Sequence, residues 1–443
     1  MRKFLSIFIL AALLPLGAQA QNAWWLFPGS RQREQQEQQE QQEQKEQKRT
    51  QEETSRQQEE AQRREETRQP HALEQKSIQG QEPQRQRPDE EELERLRDEL
   101  WRSVSSDFSG KVNVTMILPL NTSSATPSAN FLEMYSGALL ALRDLGLEGM
   151  EIDFEILDSS AEGFRAEEHI SGRNVIIGPV EYRALAELER HCNQNQVIIS
   201  PLEPRAAELV DGGHIIQSPV PWTAQTDELV RWMRSDCQPA DEVIVIRDVS
   251  MSGNGEQSRY LTGLLDSMGI AYRSVSSVQD LQMGKFGNYR LLIASDDDAF
   301  ITRTVKDIGI ASKIHDNIIL YTTSRVRNCV GPNVSDLHDA NTRLTAAYFI
   351  DYGSEEVQEF VLAYRSLFGS EPGSFAFQGY DLVKYYATAF ERYGRRWTSR
   401  LDDFPSEGLQ SDFRFDRSEG RGRLNTAVRR VVYGRDLSTT LVK

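Results

Sequence analysis

From Lys111 to the C-terminus, short apolar runs alternate with amphipathic stretches of helical spacing. "KVNVTMILPL" reads as a strand that stops at Pro119, and "EIDFEILDSS" as another. Between them, "ANFLEMYSGALLALRDLG" places Leu132, Tyr135, Ala138, Leu139 and Leu142 on one helical face. The alternation resumes through "EVIVIRDVS", "GEQSRYLTGLLDSMG", "RLLIASDDD", "FITRTVKDIGIAS" and "NIILYTTS". Strands alternating with helices build βαβ units and a parallel sheet. Residues 243–246 and 318–320 are continuous apolar runs, as expected of parallel strands covered on both faces. The strands are too numerous for one small sheet. Two α/β lobes in series account for them, with the Pro-rich "SPVPW" around 219–221 as the crossing.

One stretch says more about function. "NVIIGPVEYRALAELERHCNQNQVIISPLEP" holds two apolar strands separated by a helical segment. The first ends at Gly178-Pro179 and the second at Ser200-Pro201. Such turns stop a strand and redirect the chain sharply. In a parallel sheet both fall on the same side, so they predict one wall of a ligand cleft.

The first residues, "MRKFLSIFILAALLPLGAQA", carry a basic pair and an apolar run from Phe4 to Leu16. The run is short for a bilayer span, and Ala18-Gln19-Ala20 is a small-x-small site, the pattern of a cleaved secretory signal peptide. No cysteine follows the run, which argues against a lipid anchor. The expectation is an exported protein, periplasmic or otherwise outside the cytoplasm, soluble after cleavage near Ala20. The net charge of -16 argues against a nucleic-acid partner. Cys192, Cys237 and Cys329 lie far apart, without metal-ligand spacing. One disulfide or buried unpaired thiols would both suit them.

Residues 31–69 are almost pure Gln, Glu, Arg and Lys, with nine basic and eleven acidic side chains. The residue types favour helix, but there is no apolar stripe for a coiled coil. The segment 21–88 reads as a solvated helix or a disordered tether, and the 39 residues from 31 would reach on the order of 55–60 Å if helical. Trp24, Trp25, Leu26 and Phe27 form a small apolar patch, either a docking point or the border of the signal peptide. Residues 89–108 form an amphipathic helix with Leu93, Leu96, Leu100 and Val104 in register.

Several stretches taken in order resemble the type I periplasmic binding proteins, in the branched-chain amino-acid-binding and receptor-ligand-binding branch. They are "ILPLNTSS", "GALLALRDL", "IIGPVEY", "VIISPLEP" and "EEVQEFVLAYRSLFGSEPGSFAFQGYDLVKYYATAF", followed by the tail "LQSDFRFDRSEGRGRLNTAVRRVVYGRDLSTTLVK". The resemblance covers nearly all of 111–443 and leaves out 21–110. It implies two Rossmann-like parallel-sheet lobes joined by a multi-strand hinge. Lobe 1 would comprise 111–218 and 347–405, and lobe 2 would comprise 219–346 and 406–443.

The resemblance also implies a ligand site between the lobes. The first lobe would offer Asn121, Thr122, Ser123, Val180, Glu181, Tyr182, Leu202, Glu203 and Arg205. The second would offer Ser252, Asn254, Thr323, Ser324 and Arg325. Amino-acid-binding members place small hydroxyl residues after the Gly-Pro-like turn, whereas this chain has Glu181 and Tyr182 there. Arg205 could pair with a carboxylate or phosphate, or Glu181 and Arg205 could be ordinary first-turn and surface residues. "SDDD" at 295–298 offers oxygen ligands without the spacing of a calcium loop, and reads as a helix cap. "MSGNGEQS" lacks the Lys-Ser/Thr of a phosphate-binding loop. Tyr380 and Asp381 of "GYD" read as packing and helix capping. No nucleophile and base pair up, so no enzyme, cofactor or metal is expected.

Two functions follow. One is capture of a small polar solute, amino-acid-like or peptide-like, for uptake or sensing. The other is an envelope regulatory or scaffold protein that uses the same fold to bind a protein partner such as a peptidoglycan synthase, reached through residues 21–110.

Overall fold

The computed structural model describes residues 111–442, apart from 195, 285–286, 330–332 and 417–421. The signal segment, the tether, the helix expected at 89–108 and the partner contact expected through 21–110 lie outside the described residues.

The first part of the chain runs β1 (Val112–Leu118), α1 (Ala129–Leu147), β2 (Ile152–Asp158), β3 (Val175–Ile177), α2 (Tyr182–Glu189), β4 (Ile198–Ser200) and β5 (Ile215–Gln217). β1 lies parallel to β2 on one side, with Val114 opposite Phe154, and to β3 on the other, with Val114 opposite Val175. The chain therefore lays down one neighbour of β1, then reverses to the other side. Val175, Ile176 and Ile177 are wholly buried, as are Ile198 and Ile199. Each such side chain contributes about 1.5–3 kcal/mol on removal from water, which is why these short runs hold as strands.

Residues 218–221 carry the chain to α3 (Trp222–Asp236) and a second sheet. There follow β6 (Asp241–Arg247), α4 (Glu256–Ser267), β7 (Arg273–Val275), β8 (Asn288–Ala294), α5 (Asp298–Ser312) and β9 (Ile318–Thr323). Short helices α6 (Arg325–Asn328) and α7 (Val334–Asp339) precede β10 (Arg343–Ala346). β6 repeats the first lobe's reversal, with β7 on one side and β8 on the other. β7 carries no apolar run, so its sequence does not announce it. It forms as an edge strand against β6.

The chain then returns with α8 (Glu355–Phe368) and α9 (Ser374–Tyr393), and closes with β11 (Ser406–Glu407), β12 (Asp412–Phe413), β13 (Arg423–Leu424), β14 (Arg429–Tyr433) and β15 (Thr439–Val442). The first sheet has the order β13-β5-β4-β3-β1-β2, and the second β15-β14-β10-β9-β8-β6-β7. The closing segment, expected entire in the second lobe, is thus divided. β13 pairs with β5 in the first sheet, while β14 and β15 extend the second in antiparallel fashion.

α1 and α9 cross unusually closely. A Cβ on Gly137 would sit 1.8 Å from the Ala376 carbonyl oxygen, and one on Gly379 would sit 1.9 Å from that of Met134. Side chains at those positions would force the helices apart. The glycine of "GYD" is therefore a packing requirement. Tyr380 donates to Asp144 across the same contact at 3.0 Å.

Asp381 does not cap a helix. It lies inside α9, and its carboxylate accepts the backbone N–H groups of Leu409 (2.7 Å), Gln410 (2.9 Å) and Ser411 (3.0 Å). The same segment is also gripped by Arg429, at the start of β14. Its guanidinium donates to the carbonyls of Gly408, Leu409 and Phe349 and to the Asp412 carboxylate. Gln378 extends the junction, donating to the Pro201 carbonyl and accepting from Gln410.

Candidate functional site

In a parallel sheet, a crevice opens beyond the carboxyl ends of the strands where the strand order reverses. The topology places one such point at β1/β3 and another at β6/β8. The loops that follow these strands contain most of the residues expected at the site.

After β1, Asn121, Thr122 and Ser123 are exposed, and Asn121 takes a left-handed backbone with φ 56°. The turn is organised by Asp158, at the end of neighbouring β2. One of its carboxylate oxygens accepts from Leu120 N (3.0 Å) and Asn121 N (3.2 Å), and the other from the backbone N–H (2.8 Å) and hydroxyl (2.7 Å) of Thr122. Ser160 adds its own N–H at 3.0 Å. Partial burial pushes the Asp158 carboxyl upward. The hydrogen bonds from Ser160 and Thr122 outweigh that and hold it well below the ordinary carboxylate range.

After β3, Gly178 adopts φ 90°, and a Cβ there would lie 2.2 Å from the Ile117 carbonyl oxygen. Only glycine lets this turn approach β1 so closely. Its N–H reaches across to Ile199 O at 2.8 Å, tying the two strand ends together. Val180 is buried, so its side chain packs inward. Glu181 is exposed and Tyr182 half-buried. After β4, Leu202 is half-buried and Glu203 is buried. Glu203 accepts Arg205 N (3.0 Å) and Arg205 Nε (3.4 Å). The Arg205 guanidinium lies 4.6 Å from the centre of the Tyr182 ring. Tyr182, Glu203 and Arg205 are therefore brought together as one cluster, and the positive charge of Arg205 has an internal partner.

On the second lobe, Ser252 is exposed beside Ser250, with hydroxyl oxygens 3.1 Å apart, and Asn254 accepts from Arg247 at 3.3 Å. Ser324 donates to the Gln225 side chain at 2.8 Å, and Thr323 closes β9. Arg325 donates to Asp298 at 3.0 and 3.2 Å, and also to the Asp296 carbonyl. The remaining acids of "SDDD" are likewise engaged. Asp297 caps α5 through Phe300 N at 2.8 Å. Asp296 accepts Gln257 N (3.1 Å) and Ser258 N (2.7 Å), the first turn of α4. Thr323, Arg325 and Ser258 line a small cavity of about 40 Å³. The Ser258 hydroxyl is buried and has no hydrogen-bond partner. Among the described residues no His/Cys/Asp/Glu group could hold a metal ion.

The three cysteines are unpaired. Burial pushes the Cys192 and Cys329 thiols up to about 12, which keeps them protonated and chemically quiet. Asp158 is the residue organising the candidate site that sequence reasoning passed over, whereas Asp296 was read within "SDDD" as a helix cap and does accept the first-turn N–H groups of α4. The only signal for Asp158 was its place as the last residue of an apolar strand, which caps and turns share. Among the described residues no helix is long and apolar enough to cross a membrane.

No family model matches the sequence. No curated protein matches it either. Solved structures do match. A protein described as a branched-chain amino acid ABC transporter from Rhodospirillum rubrum is 16% identical and covers 75% of this chain and 100% of its own, with a TM-score of 0.54. A branched chain amino acid ABC transporter periplasmic ligand-binding protein from Burkholderia xenovorans LB400 is 10% identical over 75% of this chain and 95% of its own, at TM-score 0.47. An ABC transporter substrate-binding protein from Desulfitobacterium hafniense, in complex with Leu, is 17% identical over 75% and 100%, at TM-score 0.42. The first of these carries the fold comparison.

Proposed function

We propose, for a chain whose fold is that of the type I periplasmic binding proteins, that it is an exported, non-catalytic binding protein. It holds a small polar solute, amino-acid-like or peptide-like, between its two lobes for uptake or sensing. The observation that carries this reading is the paired reversal of strand order. Each lobe opens a crevice at the ends of its parallel strands, and the loops there are polar and largely exposed. Asn121, Thr122, Ser123, Glu181, Tyr182 and Arg205 would contact the solute from one side, and Ser252, Asn254, Thr323, Ser324 and Arg325 from the other. Leu202 and Glu203 would support the wall from behind, as would buried Val180. Lobe 1 would comprise 111–218 and 347–405 together with β13, and lobe 2 the remainder from 219. Export rests on the signal-like first twenty residues.

Native mass spectrometry of the purified full chain tests this, followed by a thermal-shift screen of amino acids, short peptides, nucleosides and cell-wall fragments. One class should co-purify or raise the melting temperature. A ligand at a hundredfold excess over its Kd adds about 2.7 kcal/mol to the folded state. A clean apo mass with no shift from any class would overturn the reading.

A further inference from the structure

We propose that the solute is an amine or amide bearing a positive charge, rather than a zwitterionic amino acid held by its carboxylate. This deepens the solute-binding reading above and rests on it.

Backbone N–H groups in turns and at helix starts concentrate partial positive charge and draw anions. At both points where strand order reverses, the protein's own aspartates already occupy such donors. Asp158 takes the N–H groups of Leu120, Asn121 and Thr122 in the first lobe. Asp296 takes those of Gln257 and Ser258, at the start of α4, in the second. Each aspartate comes from the strand end beside the loop it fills. Glu203 repeats the arrangement after β4 by accepting Arg205 N.

The arginines follow suit. Arg205 is matched by Glu203, and Arg325 by Asp298. A ligand carboxylate would meet an internal carboxylate at each of these donors. To displace it would strand a negative charge without its hydrogen bonds. The first turn of α2 has no side-chain cap, but its N-cap residue is Glu181, itself exposed and negative. What the site leaves open suits a cation: the exposed Glu181 carboxylate, with the unpartnered Ser258 hydroxyl able to serve as either donor or acceptor.

The test is titration calorimetry on the full chain with the twenty L-amino acids, each beside its amide and its deaminated acid. For the side chain that binds, we expect the amide to bind about tenfold or more tighter than the amino acid, and the deaminated acid not to bind. An amino acid binding as well as its amide overturns the inference and leaves solute binding intact. So does a ligand from another class in the thermal screen when no amide binds. No ligand in either experiment overturns both. Asp296→Asn should shift the amide-to-acid preference towards the acid by about tenfold, and Asp158→Asn serves should that variant fail to fold. An unchanged preference in a folded variant overturns the role assigned to these aspartates.

Discussion

Asp381 lies wholly within the protein, among three backbone N–H groups and near Arg429. Burial pushes its carboxyl up to about 6, against the pull of those donors and of the guanidinium. A carboxyl with a native pKa above its unfolded value binds its proton more tightly when folded. Its contribution to stability is full below the unfolded value near 3.8 and is lost as pH rises through about 6. The stability of the wild type relative to Asp381→Asn should therefore fall by about 2–3 kcal/mol between pH 4 and pH 7. Urea unfolding of both proteins at several pH values measures it, and a constant difference would contradict it. Asp158 has the opposite sign. Its lowered carboxyl adds stability above the unfolded value, which is lost as pH falls through the native one.

At the level of elements, the crossing of α1 and α9 depends on a pair of glycines. Gly379→Ala gains helix propensity of about 1 kcal/mol but drives a Cβ into the Met134 carbonyl. The backbone cannot yield cheaply, so we expect a net loss of about 2 kcal/mol or more in chemical unfolding. Gly263→Ala in α4 is the control. A Cβ there meets nothing within 4 Å, so that variant should be as stable as the wild type or more so. The contrast also shows what the sequence could convey. The alternation of apolar runs and helical faces marked nearly every strand and helix of both sheets, because burial imposes that periodicity directly. β7 escaped, since three residues on a sheet edge, two half-buried and one exposed, need no apolar pattern. The candidate loop residues came from the resemblance laid onto the strand ends. Their electrostatic condition could not be read that way. Whether Arg205 is free or matched by Glu203, and whether Asp296 caps a helix or faces a ligand, depends on side-chain approaches that composition and spacing do not encode.

Over the whole molecule, the lobes meet at a junction where Asp381 and Arg429 grip the same short segment, 408–411, one by its N–H groups and the other by its carbonyls. Arg429 is buried, and its loss would leave Asp412 and several carbonyls without partners. Arg429→Met should cost about 3–5 kcal/mol. It should also uncouple the lobes, so that calorimetry resolves two transitions where the wild type gives one. A single transition at unchanged temperature would argue against this coupling.

The division of the closing segment has a consequence in time. β5 waits for Arg423 and Leu424, and β10 waits for the strand that begins at Arg429. Each lobe is missing a neighbour until residues 423–432 have left the ribosome. These pairings span some two hundred residues in one case and nearly ninety in the other, and such distant closures come late. Neither lobe can therefore be finished ahead of the other during synthesis. Both halves stay unlocked until that one stretch is made, and its arrival lets them shut together.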